Sequence, residues 1–160
     1  MLEKEVNQIV GTSLAWHHKP EDGKHLKSKI PFDGYGFYKP ADAEGIPVYW
    51  ESKNLKRPEA FNFNDLQQHQ IDNLRAIAHL SKNVIPIFFV CVDFGRMQKR
   101  MYFFRDMDYV YKRKLEKRNI LKKEWMVRRN FVLIKKQRID FDEIVSMPRE
   151  WEYEEEGVAK

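Results

Sequence analysis

The stretch FDGYGFYKPADAEGIPVYWESKNLK, residues 32–56, decides how the chain is read. Two runs, 35–39 and 46–53, are rich in aromatic and β-branched residues and flank a polar PADAEG segment at 40–45. That pattern predicts two strands joined by a turn. In the second run Ile46, Val48 and Trp50 alternate with Tyr49, Glu51 and Lys53, so the two sets face opposite sides of a sheet. Glu51 and Lys53 therefore share a face. Asp33 stands where the first strand begins, and pairing across the turn brings it beside Glu51.

Two converging carboxylates repel unless something neutralises them. A hard divalent cation does so, and oxygen donors from Asp33, Glu51 and the backbone carbonyl of Ser52 suit magnesium. Lys53 next to such a cation would orient or deprotonate an attacking water, or hold a phosphate, which is the equipment of phosphodiester hydrolysis. The competing reading is an ordinary exposed Glu51–Lys53 pair on a half-solvated strand. Gln70 falls in the apolar stripe of a following helix, between Leu66 and Leu74. A polar group there must be satisfied, either by the site or by backbone.

The remainder of the chain sets the frame. Its 160 residues predict one domain, and 42% hydrophobic with 14% aromatic residues predict a globular one. No apolar run approaches the ~20 residues of a membrane span. The N-terminus MLEKEVNQIV is charged and does not read as a signal peptide. The single Cys91 lies in the apolar run IPIFFVCVDF, so no disulfide forms within the chain, and a reducing, cytoplasmic setting is expected. The formal net charge is +5, unevenly spread. Residues 96–138 hold 16 basic and 4 acidic residues, whereas 139–160 hold 2 basic and 8 acidic. A basic segment of that kind points to a polyanion, nucleic acid first, over a merely solvated helix face. His17 and His18 lack a zinc-site spacing, and no Walker loop, G-x-S-x-G or dinucleotide glycine pattern occurs.

Hydrophobic periodicity predicts a helix over 2–15, a turn or loop at 18–25, and a helix opened by Asn64 with Gln67 as its capping partner. It predicts a central strand over 84–94 buried on both faces and a further strand at 101–105. Asp106 is expected to cap a basic helix running to about Arg118. Residues 120–128 read as a short helix or loop, and 131–136 as a last strand. The fold class expected is a mixed α/β sheet flanked by helices, one domain over 1–150, followed by an acidic, frayed tail at 151–160.

With these residues in view, the chain resembles the PD-(D/E)xK nuclease superfamily of restriction-endonuclease-like fold. Within it the resemblance is to RecU-type Holliday junction resolvases. "DGYGFY" is similar to the family strand that begins at its first metal aspartate, and "YWESK" to its F-E-A-K. "FNFNDLQQHQIDNL" is similar to the family's phenylalanine-bearing stretch, with H-Q-I as the most specific agreement. "IPIFFV" and "RMYFF" match the next strands, and "LEKEVN" the N-terminal helix. The resemblance implies a magnesium-dependent endodeoxyribonuclease, with manganese as a substitute, working as a homodimer that cuts four-way DNA junctions symmetrically in recombination and repair. It implies metal ligation by Asp33, Glu51 and the Ser52 carbonyl, with Glu3 or Glu5 nearby and Glu3 preferred. It implies catalysis by Asp33, Glu51 and Lys53, with Gln70 supporting them. Phosphate contacts are expected from Lys19, Arg96, Lys99, Arg100, Lys112, Arg113, Lys114, Lys117, Arg118, Lys122, Lys123, Arg128 and Arg129. Two departures stand out. Only HKPEDGKHLKSKIPF fills the place of the family's long stalk, and Asn54 and Leu55 follow Lys53 where the family has an acid and a threonine. The first keeps open a nicking or restriction-like nuclease without junction preference; a non-catalytic nucleic-acid-binding protein is the reading from another class. A compact member of this kind suits a bacteriophage and the cytoplasm of its host.

Overall fold

Strand β3 (Ile46–Leu55) and strand β5 (Ile85–Asp93) form the parallel pair at the centre of a six-stranded sheet. The computed structural model describes residues 1–18 and 32–153. The sheet runs β1-β2-β3-β5-β6-β8, with β1 Trp16–His18, β2 Gly34–Tyr38, β6 Lys99–Phe104 and β8 Phe131–Leu133. All its other pairings are antiparallel. Short strands β4 (Phe61–Asn62) and β7 (Asn119–Ile120) form a second, two-stranded sheet. The expected mixed α/β sheet with flanking helices, in one domain, is what the chain forms.

The continuous apolar run of β5 is explained by burial on both faces. Ile87, Phe89 and Cys91 join one core with Val6, Ile9 and Val10 of helix α1 (Glu3–Thr12) and Phe141 and Ile144 of a later helix, Phe141–Ser146. Phe88, Val90 and Val92 join the other, with Ile71 and Leu74 of α2 (Gln68–Leu80), Val110 of α3 (Met107–Leu115) and Trp125 of α4 (Lys122–Val127). The last helix, Phe141–Ser146, is α5. Burial pushes the Cys91 thiol up to about 11, so it is an inert core residue. The glycines of DGYGF permit close packing: a Cβ on Gly34 would lie 2.2 Å from the Trp50 ring.

Several boundaries differ from the sequence expectation. Helix α1 ends at Thr12, where Ser13 Oγ donates to the Ile9 carbonyl, and the chain turns into β1 as Ala15 N donates to Phe37 O. Strand pairing wins there over helical periodicity. Asn64 does not open α2. It lies in a 3-10 turn, Phe63–Asp65, pinned by buried Phe63 and Leu66, and α2 starts at Gln68 with Gln67 as its N-cap. Asp106 does cap α3, accepting from Asp108 N and Tyr109 N. The helix stops at Leu115, and Lys117 adopts φ 54° in the turn that follows. Residues Lys122–Val127 form a helix.

The described part of the C-terminal tail is not frayed. Arg149–Tyr153 forms a 3-10 turn whose Glu152 is buried. Glu152 Oε2 accepts from Arg105 Nε at 2.7 Å, and Oε1 accepts from the backbone amides of Arg105 and Asp106. The Arg105 guanidinium also donates to the carbonyls of Ile144 and Met147, so one buried ion pair ties the chain end to β6 and α5. Residues 154–160 lie outside the described residues. Removing one partner of such a pair leaves an uncompensated buried charge. Glu152→Ala should therefore lower stability by about 3–5 kcal/mol in a chemical-denaturation curve. A loss below about 1 kcal/mol would mean the pair is no more than a surface contact.

Candidate functional site

Strand β2 begins at Gly34, opposite Trp50, while β3 continues to Leu55. Beyond Trp50 the β2 side of β3 has no strand partner among the described residues, and a notch opens there. Asp33 sits in it. Its backbone N–H donates to Trp50 O at 3.0 Å, and its Oδ2 accepts from Ser52 N at 2.8 Å and from Ser52 Oγ at 3.4 Å. The carboxylate thus takes the position that a continuing β2 would have filled with a carbonyl. In an extended strand the N–H and C=O of one residue leave by the same edge, so the Ser52 carbonyl also faces the notch.

Glu51 is 1% exposed and points to the α2 face of the sheet, with Lys53 two residues on. Gln70 donates from Nε2 to Glu51 Oε2 at 2.9 Å. Its own Oε1 accepts from the Gln67 amide at 3.1 Å, so the start of α2 fixes the amide's orientation. Of the two roles left open for Gln70, the structure places it at the site and lets its other end satisfy backbone. The other oxygen, Glu51 Oε1, is buried, and no hydrogen-bond donor among the described residues reaches it. The Glu51 carboxyl is pushed up to about 10. Burial is the largest cause; the Asp33 charge and a carboxyl–carboxyl hydrogen bond add to it, and Lys53 pulls the other way.

Helix α1 closes the notch from the opposite face. Asn7 Oδ1 accepts from Trp50 Nε1 at 3.1 Å and from Ser52 Oγ. Lys53 Nζ lies 3.9 Å from Glu3 Oε1, with side chains 21% and 53% exposed. Glu3 is therefore brought to the site, but against Lys53; Glu5 instead accepts from the Leu2 amide, as a cap of α1. Asn7 and the Ser52 hydroxyl are site residues that the sequence reading passed over. The signal for Asn7 was its position one turn after Glu3, a poor helix former inside an amphipathic helix.

The basic residues divide. Arg96, Lys112, Lys117, Arg118, Lys122, Lys123 and Arg129 are exposed. Lys99 and Arg100 are half-buried, and register puts Arg100 level with Val92 and Leu55, at the end of the sheet where Lys53 stands. The Arg100 guanidinium lies 4.4 Å from the ring centres of both Phe94 and Phe131. Lys114 is anchored on the Leu66 carbonyl. Arg113 and Arg128 correct the expectation, because both are buried and bind protein. Arg113 donates to Asn119 O and to Tyr109 Oη, and Arg128 to Glu152 O and Tyr109 Oη. Their charges hold α3 to the α4 and C-terminal segments and are closed to phosphate. Lys19 lies outside the described residues.

The donor set suits a small hard cation. Among the described residues no group of three or more His, Cys, Asp or Glu side chains gathers as a metal cluster. Magnesium, however, is held by one or two carboxylates with waters and substrate phosphate. Asp33 and Glu51, the latter with a buried oxygen that finds no donor among the described residues, supply that minimum. No family model and no curated protein matches the chain. No helix among the described residues is long and apolar enough to cross a membrane.

The raised Glu51 pKa has a signed consequence. Between pH 4.5 and about 10 the folded state keeps a proton that the unfolded chain releases, so this group's stabilisation is complete below pH 4.5 and is lost as pH rises through that window. With chelator present, melting temperature should fall from pH 5 to pH 9 more steeply in wild type than in Glu51→Gln. Parallel curves for the two proteins would show that Glu51 is ionised in the fold.

Proposed function

We propose that the chain is a magnesium-dependent, structure-selective DNA endonuclease of the PD-(D/E)xK type that resolves four-way junctions by phosphodiester hydrolysis. The observation that carries this reading is the buried Glu51, hydrogen-bonded to Gln70 and set against Asp33 where β2 begins. A protein has little reason to bury a carboxyl with an unsatisfied oxygen beside a second carboxylate unless a cation is to replace the proton. Asp33, Glu51 and the Ser52 carbonyl would hold that cation, which when bound supplies Lewis-acid stabilisation of the scissile phosphate.

The chain's own residues supply the rest. Gln70 keeps Glu51 turned to the notch. Ser52 N–H fixes Asp33, and Asn7 fixes Ser52. Lys53 projects from the same face as Glu51 and orients the attacking water or the phosphate, with Glu3 limiting its swing. The exposed lysines and arginines of 96–129 give phosphate affinity without reading sequence. The short segment between β1 and Asp33 favours one second reading, a nicking or restriction-like nuclease without junction preference.

The test uses end-labelled four-way junction, splayed arm and linear duplex, with magnesium or chelator. Wild type should cut in magnesium alone, with paired symmetric cuts at the junction. Asp33→Asn and Lys53→Ala should lose at least ~100-fold in rate, in line with loss of a positioned catalytic group, and still bind DNA. Equal cutting of all three substrates selects the second reading. Either variant cutting at the wild-type rate removes the assigned site.

Symmetric cutting of a two-fold junction needs two sites in a C2 dimer. Helix α1 is not free for this, since Val6, Ile9 and Val10 are buried within the chain. Among the exposed apolar residues described, we assign it to Leu121, Met126 and Val127 on and beside α4. Sedimentation should show a dimer that Met126→Glu or Val127→Asp converts to monomer. A dimer untouched by both changes places the interface elsewhere.

A further inference from the structure

The face that carries Glu51 and Lys53 also carries five rings. Trp16 pairs with Phe37 across β1 and β2, and Tyr35 pairs with Tyr49 across β2 and β3. Directly opposed residues share a face, as do residues two apart, so all four rings stand on the side of Glu51. Phe32, next to Asp33, sets its edge against both tyrosines, at 5.7 Å from Tyr35 and 5.0 Å from Tyr49. Tyr35 and Tyr49 stack at 6.0 Å and 27°. Trp16 continues the array, 5.9 Å from Tyr35 and 5.7 Å from Phe37. Adjacent strands are ~4.8 Å apart, so the array reaches roughly 10 Å across the sheet from Tyr49.

The opposite face of the same strands is ordinary core. Val48 and Trp50 are buried there in the core that α1 covers, and Tyr38 against Phe141 of α5. On the ring face Trp16 is 49% and Phe37 40% exposed, while Phe32, Tyr35 and Tyr49 are half-buried and Tyr49 also packs against the core. A contiguous aromatic surface of that kind marks an interaction site more often than a leftover. Its occupant follows from continuity with the notch. Phe32 adjoins Asp33, and Tyr49 is one pleat repeat from Glu51. A strand whose phosphate reaches the carboxylate pair lays its neighbouring nucleotides along these rings. Ring faces read no base edge and accept any base by its π face. A base pair inside a duplex has no such face to offer.

We propose that Phe32, Tyr35, Tyr49, Trp16 and Phe37 form a stacking platform for unpaired nucleotides next to the scissile phosphate. The platform then favours DNA with bases unpaired or unstacked beside the cut, as at the branch point of a junction or in a splayed arm. This rests on the nuclease reading of the notch, and it adds what the notch alone does not specify.

Binding in chelator separates the two. Fluorescence anisotropy would compare splayed-arm DNA with fully paired duplex of the same length, with 2-aminopurine in the unpaired arm to report stacking. Trp16→Ala and Phe37→Ala should each weaken splayed-arm binding about tenfold, change duplex binding less than about twofold, and lose the 2-aminopurine quench. Trp16→Phe should restore most of it, because a ring remains. Circular dichroism melts confirm that the variants fold. Equal losses on splayed and paired DNA, or no loss on either, would overturn the platform and leave the nuclease standing if wild type still cuts. A change of oligomeric state with unaltered DNA binding would assign the face to a second copy of the chain and overturn it likewise. A wild-type protein that binds no DNA would remove both readings.

Discussion

The Ser52 amide is where the sheet changes from structure to site. Two residues earlier, at Trp50, β3 is still paired with β2. At Ser52 the acceptor is Asp33 Oδ2 instead of a strand carbonyl. A backbone donor needs an acceptor when it is buried, so this bond is an obligation of the fold as well as a positioning device. It fixes the first carboxylate beside the strand that presents the second. Glu51, Gln70, Lys53 and Glu3 all take their places relative to that edge. Lengthening β2 by two residues would satisfy Ser52 with backbone and close the notch.

Burial of Glu51 is the cost of this arrangement. A carboxyl out of water, next to another carboxylate, is held neutral by retaining its proton. The rest of the fold tolerates it because one oxygen is satisfied by Gln70, whose amide is itself committed at the helix start. A buried polar chain from Gln67 through Gln70 to Glu51 leaves one oxygen open. Burial and the contact with Gln70 distinguish Glu51 from a member of an exposed Glu–Lys pair.

Much of this was legible in the sequence, for reasons that differ by residue. Strand alternation put Glu51 and Lys53 on one face because the period of a strand is two, and the observed register keeps it. Gln70 stood out because a polar residue in an apolar stripe needs a partner. Asn7 did not, since its meeting with Trp50 and Ser52, on the face of β3 that α1 covers, is set by tertiary packing and by nothing local. Arg113 and Arg128 were counted as surface cations because a run of basic residues says nothing about which side chains turn inward. Their burial depends on Tyr109, Asn119 and Glu152, partners up to 24 residues away in the chain. Glu152 was hidden for the same reason: an acidic stretch reads as tail until a buried arginine claims one member.

Removing Arg113 and Arg128 from the exposed charge sharpens what remains. Among the cations left, Arg100 is held between two rings, which reduces the entropy lost when it meets a phosphate. It lies two strands from β3 and level with Leu55, so roughly 10 Å of sheet separates its backbone from that of the Lys53 end. The aromatic array extends from the notch in the other direction, toward β1. A nucleic-acid strand crossing the Asp33–Glu51 pair would therefore meet fixed positive charge on one side and ring faces on the other. Charge grips the backbone of paired and unpaired DNA alike, whereas rings reward only bases that have left their stack. On the proposed nuclease reading, such a division would make the shape of the DNA at the cut, and not its sequence, what this surface senses.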